Sequence, residues 1–534
     1  MIEKYFPYDS FRPNQKEVIE EVIEAIESDY EHIIVDAPTG FGKSAVVQTI
    51  NDILIHNDDY NSFILTATRN LQNQYWKSCK DDEFADYQVM MGRSNYACPM
   101  SGTTCDHGLC RTTPRSAGFK CMYNMKGNPC DNGGCHYYSS KCRNMVADTS
   151  IMNYNVLMSD MQYAHHFDPR ALMFCDEAHN IEDKIMNAVS LSFNENKMYK
   201  LFDISFNDSD YEDTDINSWI DKLETILPIC QHKAQAVDSI FSDYDKKKVQ
   251  DIKSFTKQLE WKLHEIKKGH VDWVVCPNHR GRIIEIKPVN IQPYSYGQLL
   301  KGARTHIYLS GTFIDHEQWA SDLGLDDELT RYIRTESSFD MVNRNPIIKR
   351  WVGNMSMKHK AKTLPKMVDA VFNILNEHPD ECGIIHCHSR DNANYIMSNV
   401  HSGRLMTYTP ENKDKQLKTF ENSSNLVMVA YSLEEGVDLP YDGVRFQVFM
   451  KTPYPNLADN QIRARMFMDK HWYNVNTARK LVQAWGRGMR AEDDYCVNYM
   501  LDTGFNALTH ANWMPKELVG ALIYEKERER SSCR

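Results

Sequence analysis

Asp36-Ala37-Pro38-Thr39-Gly40-Phe41-Gly42-Lys43-Ser44 follows the apolar run Ile33-Ile34-Val35 and precedes a helix-patterned stretch, Ala45 to Ile55. A short buried strand, a glycine-bearing loop, a lysine and hydroxyl in register, then a helix: this order makes a phosphate cradle. Loop amides and the helix N-terminus aim at anionic oxygens, and the glycines let the backbone approach. Thr39, Gly40 and Gly42 line the cradle. Lys43 is placed to reach the β- and γ-phosphates of ATP, and the Ser44 hydroxyl to ligate Mg²⁺. The usual first glycine of such a loop is Ala37 here. The stretch dictates an α/β fold with parallel strands.

Upstream, Phe11-Arg12-Pro13-Asn14-Gln15 opens a helical pattern through Val18, Val22, Ile23 and Ile26. The Gln15 amide can read an adenine edge, with Arg12 nearby; a surface glutamine at a helix start is the plain alternative. Downstream, Phe63-Ile64-Leu65 reads as a second strand ending in Thr66-Ala67-Thr68-Arg69-Asn70. Hydroxyls and an arginine there suit a nucleic-acid backbone or a simple helix cap. A third strand, Ala171-Leu172-Met173-Phe174-Cys175, runs into Asp176-Glu177-Ala178-His179. Paired with the phosphate loop, this places Asp176 beside Mg²⁺ and Glu177 near the attacking water.

The 534 residues allow several domains. Hydrophobic content of 42% and charged content of 25% fit a globular protein. No apolar run approaches the roughly 18 to 20 residues that span a bilayer, and the N-terminus lacks the pattern of a secretion signal. A cytoplasmic protein with no membrane partner is expected. The net charge of −12 argues against indiscriminate binding of nucleic acid but leaves room for a local basic groove.

Seven of the 15 cysteines fall between Cys98 and Cys142. That segment is poor in long aliphatic runs and rich in Gly, Asn and Lys/Arg, so it needs a staple, and a metal centre supplies one. In a reducing compartment a cysteine cluster reads as metal ligation. No Cys-x-x-Cys pair occurs, which disfavours a zinc ribbon.

Residues 190 to 270 read as an insert of two packed helices, with apolar stripes through Ile216, Trp219, Leu223 and Leu227, then Val249, Ile252, Leu259, Leu263 and Ile266. Strand patterns return at Trp273-Val274-Val275, Ile283-Ile284-Glu285-Ile286 and Ile307-Tyr308-Leu309, the last ending in Ser310-Gly311-Thr312. A second alternating α/β unit follows. It carries Ser432-Leu433-Glu434-Glu435-Gly436-Val437-Asp438-Leu439-Pro440 after one strand and Gln483-Ala484-Trp485-Gly486-Arg487-Gly488-Met489-Arg490 before the last. On a helix Arg487 and Arg490 share a face. Two guanidiniums facing a nucleotide held by another domain can neutralise a transferring phosphoryl group.

The order of these signals, from Arg12 to Arg490, resembles superfamily 2 helicases, and specifically the XPD/DinG family of iron–sulfur DNA helicases. More specific to that family are Gly92-Arg93-Ser94-Asn95-Tyr96-Ala97-Cys98, Asn153-Tyr154-Asn155 and Lys451-Thr452-Pro453-Tyr454-Pro455. The resemblance implies two RecA-like parallel-sheet domains with a cysteine-rich iron–sulfur insert and a helical arch-like insert. The first domain takes residues 1–92, 149–189 and 272–316, the cluster insert 93–148, the arch 190–271 and the second domain 317–534.

The resemblance also implies ATP, Mg²⁺ and a [4Fe–4S] cluster. Cys98 matches the first cluster ligand and Cys135 the last. Cys121 looks like the third and Cys110 is chosen as the second, with Cys105 and Cys130 as competitors; Cys142 is a helix-face thiol. Lys43, Asp176, Glu177, Gln483, Arg487 and Arg490 would carry catalysis. Gly436 and Asp438 would join the nucleotide site, and His179 and Thr312 would couple hydrolysis to the nucleic-acid side. Movement would be 5′-to-3′ on single-stranded DNA, with forked duplex DNA as partner, in repair, recombination or replication. An RNA helicase or nucleic-acid-stimulated ATPase, and a non-catalytic nucleic-acid-binding module, are the rivals.

Overall fold

Apolar runs closed by polar loops make the central strands of this chain. The computed structural model describes residues 2–38, 40–58, 60–112, 134–239, 246–431, 441–489, 491–511 and 513–524. In chain order the strands are β1 (His32–Asp36), β2 (Ser62–Thr66), β3 (Tyr87–Met90), β4 (Thr149–Asn153), β5 (Arg170–Asp176), β6 (Leu191–Asn194), β7 (Trp273–Asn278), β8 (Ile283–Pro288), β9 (Ala303–Ser310) and β10 (Thr330–Arg334). After them come β11 (Ile347–Gly353), β12 (Gly383–His386), β13 (Leu405–Met406), β14 (Val427–Ala430), β15 (Phe446–Phe449), β16 (Val497–Asp502) and β17 (Leu522–Tyr524). Two parallel sheets result, in the orders β10-β1-β9-β5-β2-β4-β3 and β13-β14-β12-β15-β16-β11-β17. The fold is α/β with two RecA-like sheets, as expected.

Both faces of the first sheet are covered, which is why its strands read as unbroken apolar runs. Ile34 packs into one core, while Ile33 and Val35 pack into the other on the opposite face. That is the two-residue alternation of a strand buried on both sides. The helical insert is the predicted pair, Ile216–Ser239 and Lys246–Lys268. It rises from a three-stranded antiparallel sheet, β6-β8-β7.

The expected domain limits differ from the structure in two places. Strand β10 pairs in parallel with β1, Ile34 opposite Tyr332, so the first sheet reaches Arg334 rather than residue 316. Strands β7 and β8 belong to the root of the helical insert rather than to the parallel sheet. Strand β4 escaped the sequence pattern because it begins with Thr149 and Ser150. Both are fully buried and hydrogen-bonded: Thr149 Oγ1 accepts from Asn51 at 2.8 Å, and Ser150 donates to Asn144 at 2.5 Å. Among the described residues no helix is long and apolar enough to cross a membrane.

One feature of this core is sensitive to acid. His32 on β1 and His306 on β9 lie with ring centroids 5.4 Å apart. Burial pushes His32 down to about 4 and His306 to about 3. Both are neutral in the folded chain, whereas in the unfolded chain they titrate near 6.5. As pH falls below that value the unfolded chain gains protons that the folded chain refuses, so stability declines down to the folded values. His306→Leu should remove up to about 1.4 kcal/mol per pH unit from that slope, measured by denaturant unfolding between pH 6.5 and 4. An unchanged slope would mean that His306 titrates normally in the folded protein.

Candidate nucleotide site at the edges of two parallel sheets

Strands β1, β9 and β5 are adjacent, and their carboxyl ends bear the three polar motifs. Ligands of open parallel sheets bind at that end. The phosphate loop leaves β1 with Gly40 at φ 82° and Gly42 at φ 84°, conformations that glycine adopts without strain. The helix that follows runs Lys43–Asp58, so Lys43 and Ser44 occupy its first turn. Lys43 Nζ lies over the loop, 3.2 Å from Ala37 O and 3.4 Å from Pro38 O.

Arg12 and Gln15 brace this loop. Gln15 is buried; its Oε1 accepts from the Arg12 amide at 2.7 Å and its Nε2 donates to Phe41 O at 2.7 Å. The Arg12 guanidinium donates to Gly40 O. Gly311 sits against the other side, where a β-carbon would fall 2.8 Å from Ala37 O and 3.1 Å from Pro38. The Ser310-Gly311-Thr312 turn can thus approach the phosphate loop only with glycine in the middle.

At the end of β5, Asp176 is buried, and burial raises its carboxyl above the usual range, with Glu177 adding and Lys43 opposing. Glu177 takes a left-handed conformation, φ 50°, which a non-glycine residue holds at a cost of about 1–3 kcal/mol. Its amide donates to Asp176 Oδ1 at 2.9 Å. His179 is buried and gathers the neighbouring motifs: Nδ1 lies 2.8 Å from Ser310 Oγ, 3.2 Å from Thr312 Oγ1 and 3.4 Å from Glu177 Oε2. From the second sheet's side, Gln483 Nε2 reaches His179 Nε2 at 2.6 Å and Thr312 Oγ1 at 3.4 Å. An anionic phosphate chain, a divalent cation and a water molecule all find matching groups here.

Arg487, four residues beyond Gln483, is buried. Arg487 lies in a turn just past a helix rather than on one. The helix Lys470–Trp485 passes into a single tight turn, Gly486–Gly488, and Met489 is extended at φ −144°. Two glycines in three residues end the helix there. Thr39, Gly436, Asp438, Arg490, Cys121 and Cys130 lie outside the described residues.

Sequence reading missed two members of the site. Phe339, between the sheets, lies where a β-carbon on Gly40 would meet its ring. Arg334 closes β10, 3.8 Å from the Asp36 carboxylate at the end of β1. Both line a cavity of about 100 Å³ with Thr312 and Trp485. The Thr-Arg-Tyr-Ile-Arg alternation of β10 was the available signal for Arg334; nothing local marks Phe339.

Residues 9–204 match the family described as type III restriction enzyme, res subunit, and residues 371–520 match the helicase C-terminal domain family. A probable ATP-dependent helicase of Methanocaldococcus jannaschii is 22% identical, with 98% of this chain and 95% of the relative covered. A solved XPD helicase superposes with a TM-score of 0.68 at 15% identity, covering 97% of this chain and 100% of the other. The Xpd4 structure from S. tokodaii gives 0.59 at 14% identity, with 96% and 100% covered. The chain has the fold of the solved XPD helicases and carries a helicase C-terminal domain match over residues 371–520.

In this XPD-like fold the cysteines of the insert meet one another in part. Cys98, Cys105 and Cys135 are buried. Cys105 is close enough to Cys135 and Cys110 for their charges, with burial first, to push its thiol up to about 11. Arg93 opposes that shift, with Nη1 3.7 Å from Cys105 Sγ. Cys98 Sγ faces the turn at Gly108, between Cys105 and Cys110. Among the described residues no group of three or more His, Cys, Asp or Glu side chains is set to hold a metal ion.

Proposed function

We propose that this helicase travels 5′-to-3′ on single-stranded DNA, separates forked duplexes at the expense of ATP, and carries a [4Fe–4S] cluster in its cysteine-rich insert. The observation that supports a single-stranded track is a passage of about 810 Å³ bounded by the first sheet, the insert and the helix Lys246–Lys268. Arg93, Lys141, Lys253 and Lys257 line it together with the rings of Tyr137 and Tyr163. Cations that follow a phosphate backbone and rings on which bases stack are the chemistry of single-strand binding. The passage also brings together residues of the Gly92–Cys98 and Asn153–Asn155 stretches, two of the three that are most specific to the family resembled.

In the proposed cycle Lys43 and the loop amides hold the phosphates, while Ser44 and Asp176 ligate Mg²⁺. The metal supplies Lewis-acid stabilisation of the transferring phosphoryl group. Glu177 orients and deprotonates the water. Gln483, Arg487 and Arg490 approach from the second domain, and Arg12 and Gln15 set the loop for the base. Cys98 and Cys135 hold the cluster with two of Cys105, Cys110, Cys121 and Cys130; Cys105 is the favoured neighbour of Cys135.

A strand-displacement assay on 5′-tailed and 3′-tailed DNA duplexes, with RNA-tailed counterparts, tests the reading. Separation of the 5′-tailed DNA duplex alone is the expected result. Preference for the 3′ tail would reverse the polarity. Activity confined to RNA would replace the substrate.

A further inference from the structure

We infer that the helix pair Asn460–Met468 and Lys470–Trp485 is a transmission element. It links the hydrolysis motif to the root of the helical insert through a buried ionic fulcrum of Glu182, Asp322 and Arg465. The inference rests on the ATP-driven reading of the phosphate-loop site.

The second helix carries Trp472, Asn476, Arg479 and Gln483, spaced four, three and four residues apart. Such spacing puts all four on one face. Every one of them is engaged. Gln483 meets His179. Arg479 is buried, donates to Asn476 Oδ1 at 3.0 Å and lies close enough to His179 to oppose its protonation. Trp472 Nε1 donates to both Glu182 oxygens, at 3.1 and 3.3 Å. Trp472 and Gln483 stand about 16 Å apart along the helix at 1.5 Å per residue.

Arg465, on the first helix, lies 2.6 Å from Asp322 and 3.7 Å from Glu182, and all three are buried or nearly so. Glu182 belongs to the helix Ile181–Val189 that continues the Asp-Glu-Ala-His turn. Asp322 belongs to the helix His316–Leu323 that follows Ser310-Gly311-Thr312. The fulcrum thus grips both motif-bearing segments of the first domain.

The far end of the pair grips the insert. Asp459 caps the first helix and accepts from Lys287 at 3.1 Å and Cys276 at 3.4 Å. Asn460 donates to Val275 O at 2.6 Å and Gln461 to Val289 O at 2.9 Å. These partners lie on β7 and β8 or directly after them, at the base of the two long helices. Buried charges carry a desolvation cost unless their geometry is good, and a flat apolar contact would hold two domains together more simply. A charge-locked rod with one end on His179 and the other on β7–β8 can instead convey the state of the nucleotide to the insert.

Glu182, Asp322 and Arg465 are positioning residues, and hydrogen exchange tests them. A non-hydrolysable ATP analogue should alter exchange at the phosphate loop and, in the wild-type protein, by about twofold or more at Trp273–Asn278 and Ile283–Pro288. In Glu182→Gln, which keeps an acceptor for Trp472, the phosphate-loop response should remain and the β7–β8 response vanish. Asp322→Asn should behave alike, as a second variant should one fail to fold. A wild-type β7–β8 that ignores the analogue overturns the inference. So does a β7–β8 response of wild-type size in either variant. Strand separation by the wild-type protein, scored separately, reports on the helicase reading alone.

Discussion

Lys43→Ala should bring ATP turnover to background while the protein remains folded. The Lys43 ammonium lies over the phosphate loop with two loop carbonyls as its partners. Removing it leaves no cavity in a core. Every function left to it is electrostatic, and groups aimed at developing phosphoryl charge are worth about 10²–10³ in turnover each. Glu177→Gln is the companion variant. Glutamine is isosteric and can stay in the strained left-handed turn, so ATP should still bind. It cannot accept the proton of the attacking water, which removes a contribution of about 10²–10⁴. Phosphate release and nucleotide affinity measured on both variants separate the two roles. Turnover above about a tenth of wild type in either, against these expected factors, would remove that residue from the chemistry.

Cys135→Ser should abolish strand separation and iron content while sparing much of the ATPase. The wild-type protein, purified without air, should carry about four irons per chain, the stoichiometry of a four-cysteine cluster. Cys135 is buried at the start of the helix His136–Val146, beside Cys105. A segment so poor in aliphatic residues cannot offset its own ordering entropy, so losing the metal should unfold it locally. The insert joins β3 to β4, whereas the phosphate loop follows β1, four strands from β4 and five from β3 in the sheet. At about 4.8 Å per strand that is roughly 19 to 24 Å. Cys142→Ser is the control and should leave iron and unwinding intact. Zinc in place of iron would refute the cluster, and normal unwinding by Cys135→Ser would remove the insert from the mechanism.

The parts of this molecule legible in the sequence are those whose local chemistry is strongly constrained. Ile33-Ile34-Val35, Phe63-Ile64-Leu65 and Phe174-Cys175 advertise strands because both faces are buried. The motifs at their ends announce themselves because parallel strands deliver their carboxyl ends to one edge. That Ser310-Gly311-Thr312 and Asp176 to His179 flank the phosphate loop follows from the order β1-β9-β5, which no local pattern encodes. Strand β10 was missed because an edge strand alternates polar and apolar residues and resembles a loop. Glu182, Asp322 and Arg465 read as ordinary surface charges on helices. Only the packing of helices more than 140 residues apart in the chain buries Arg465 against Asp322.

The register of β1 has a consequence for how the protein is made. His32 is opposed on one side by His306 and on the other by Thr330. Both neighbours of β1 are therefore synthesised last within that sheet. At roughly 5–20 residues per second, β1 waits about 15 to 55 s for its partners. During that interval Ile33, Ile34 and Val35 have no sheet to enter, and both inserts emerge ahead of the strands that will close it. Pairings this distant in sequence fold slowly and leave strand edges open to other chains. Nascent chains that end before β9 should therefore be the species that chaperones hold, and the second sheet, whose strands all follow residue 346, should fold independently of that delay.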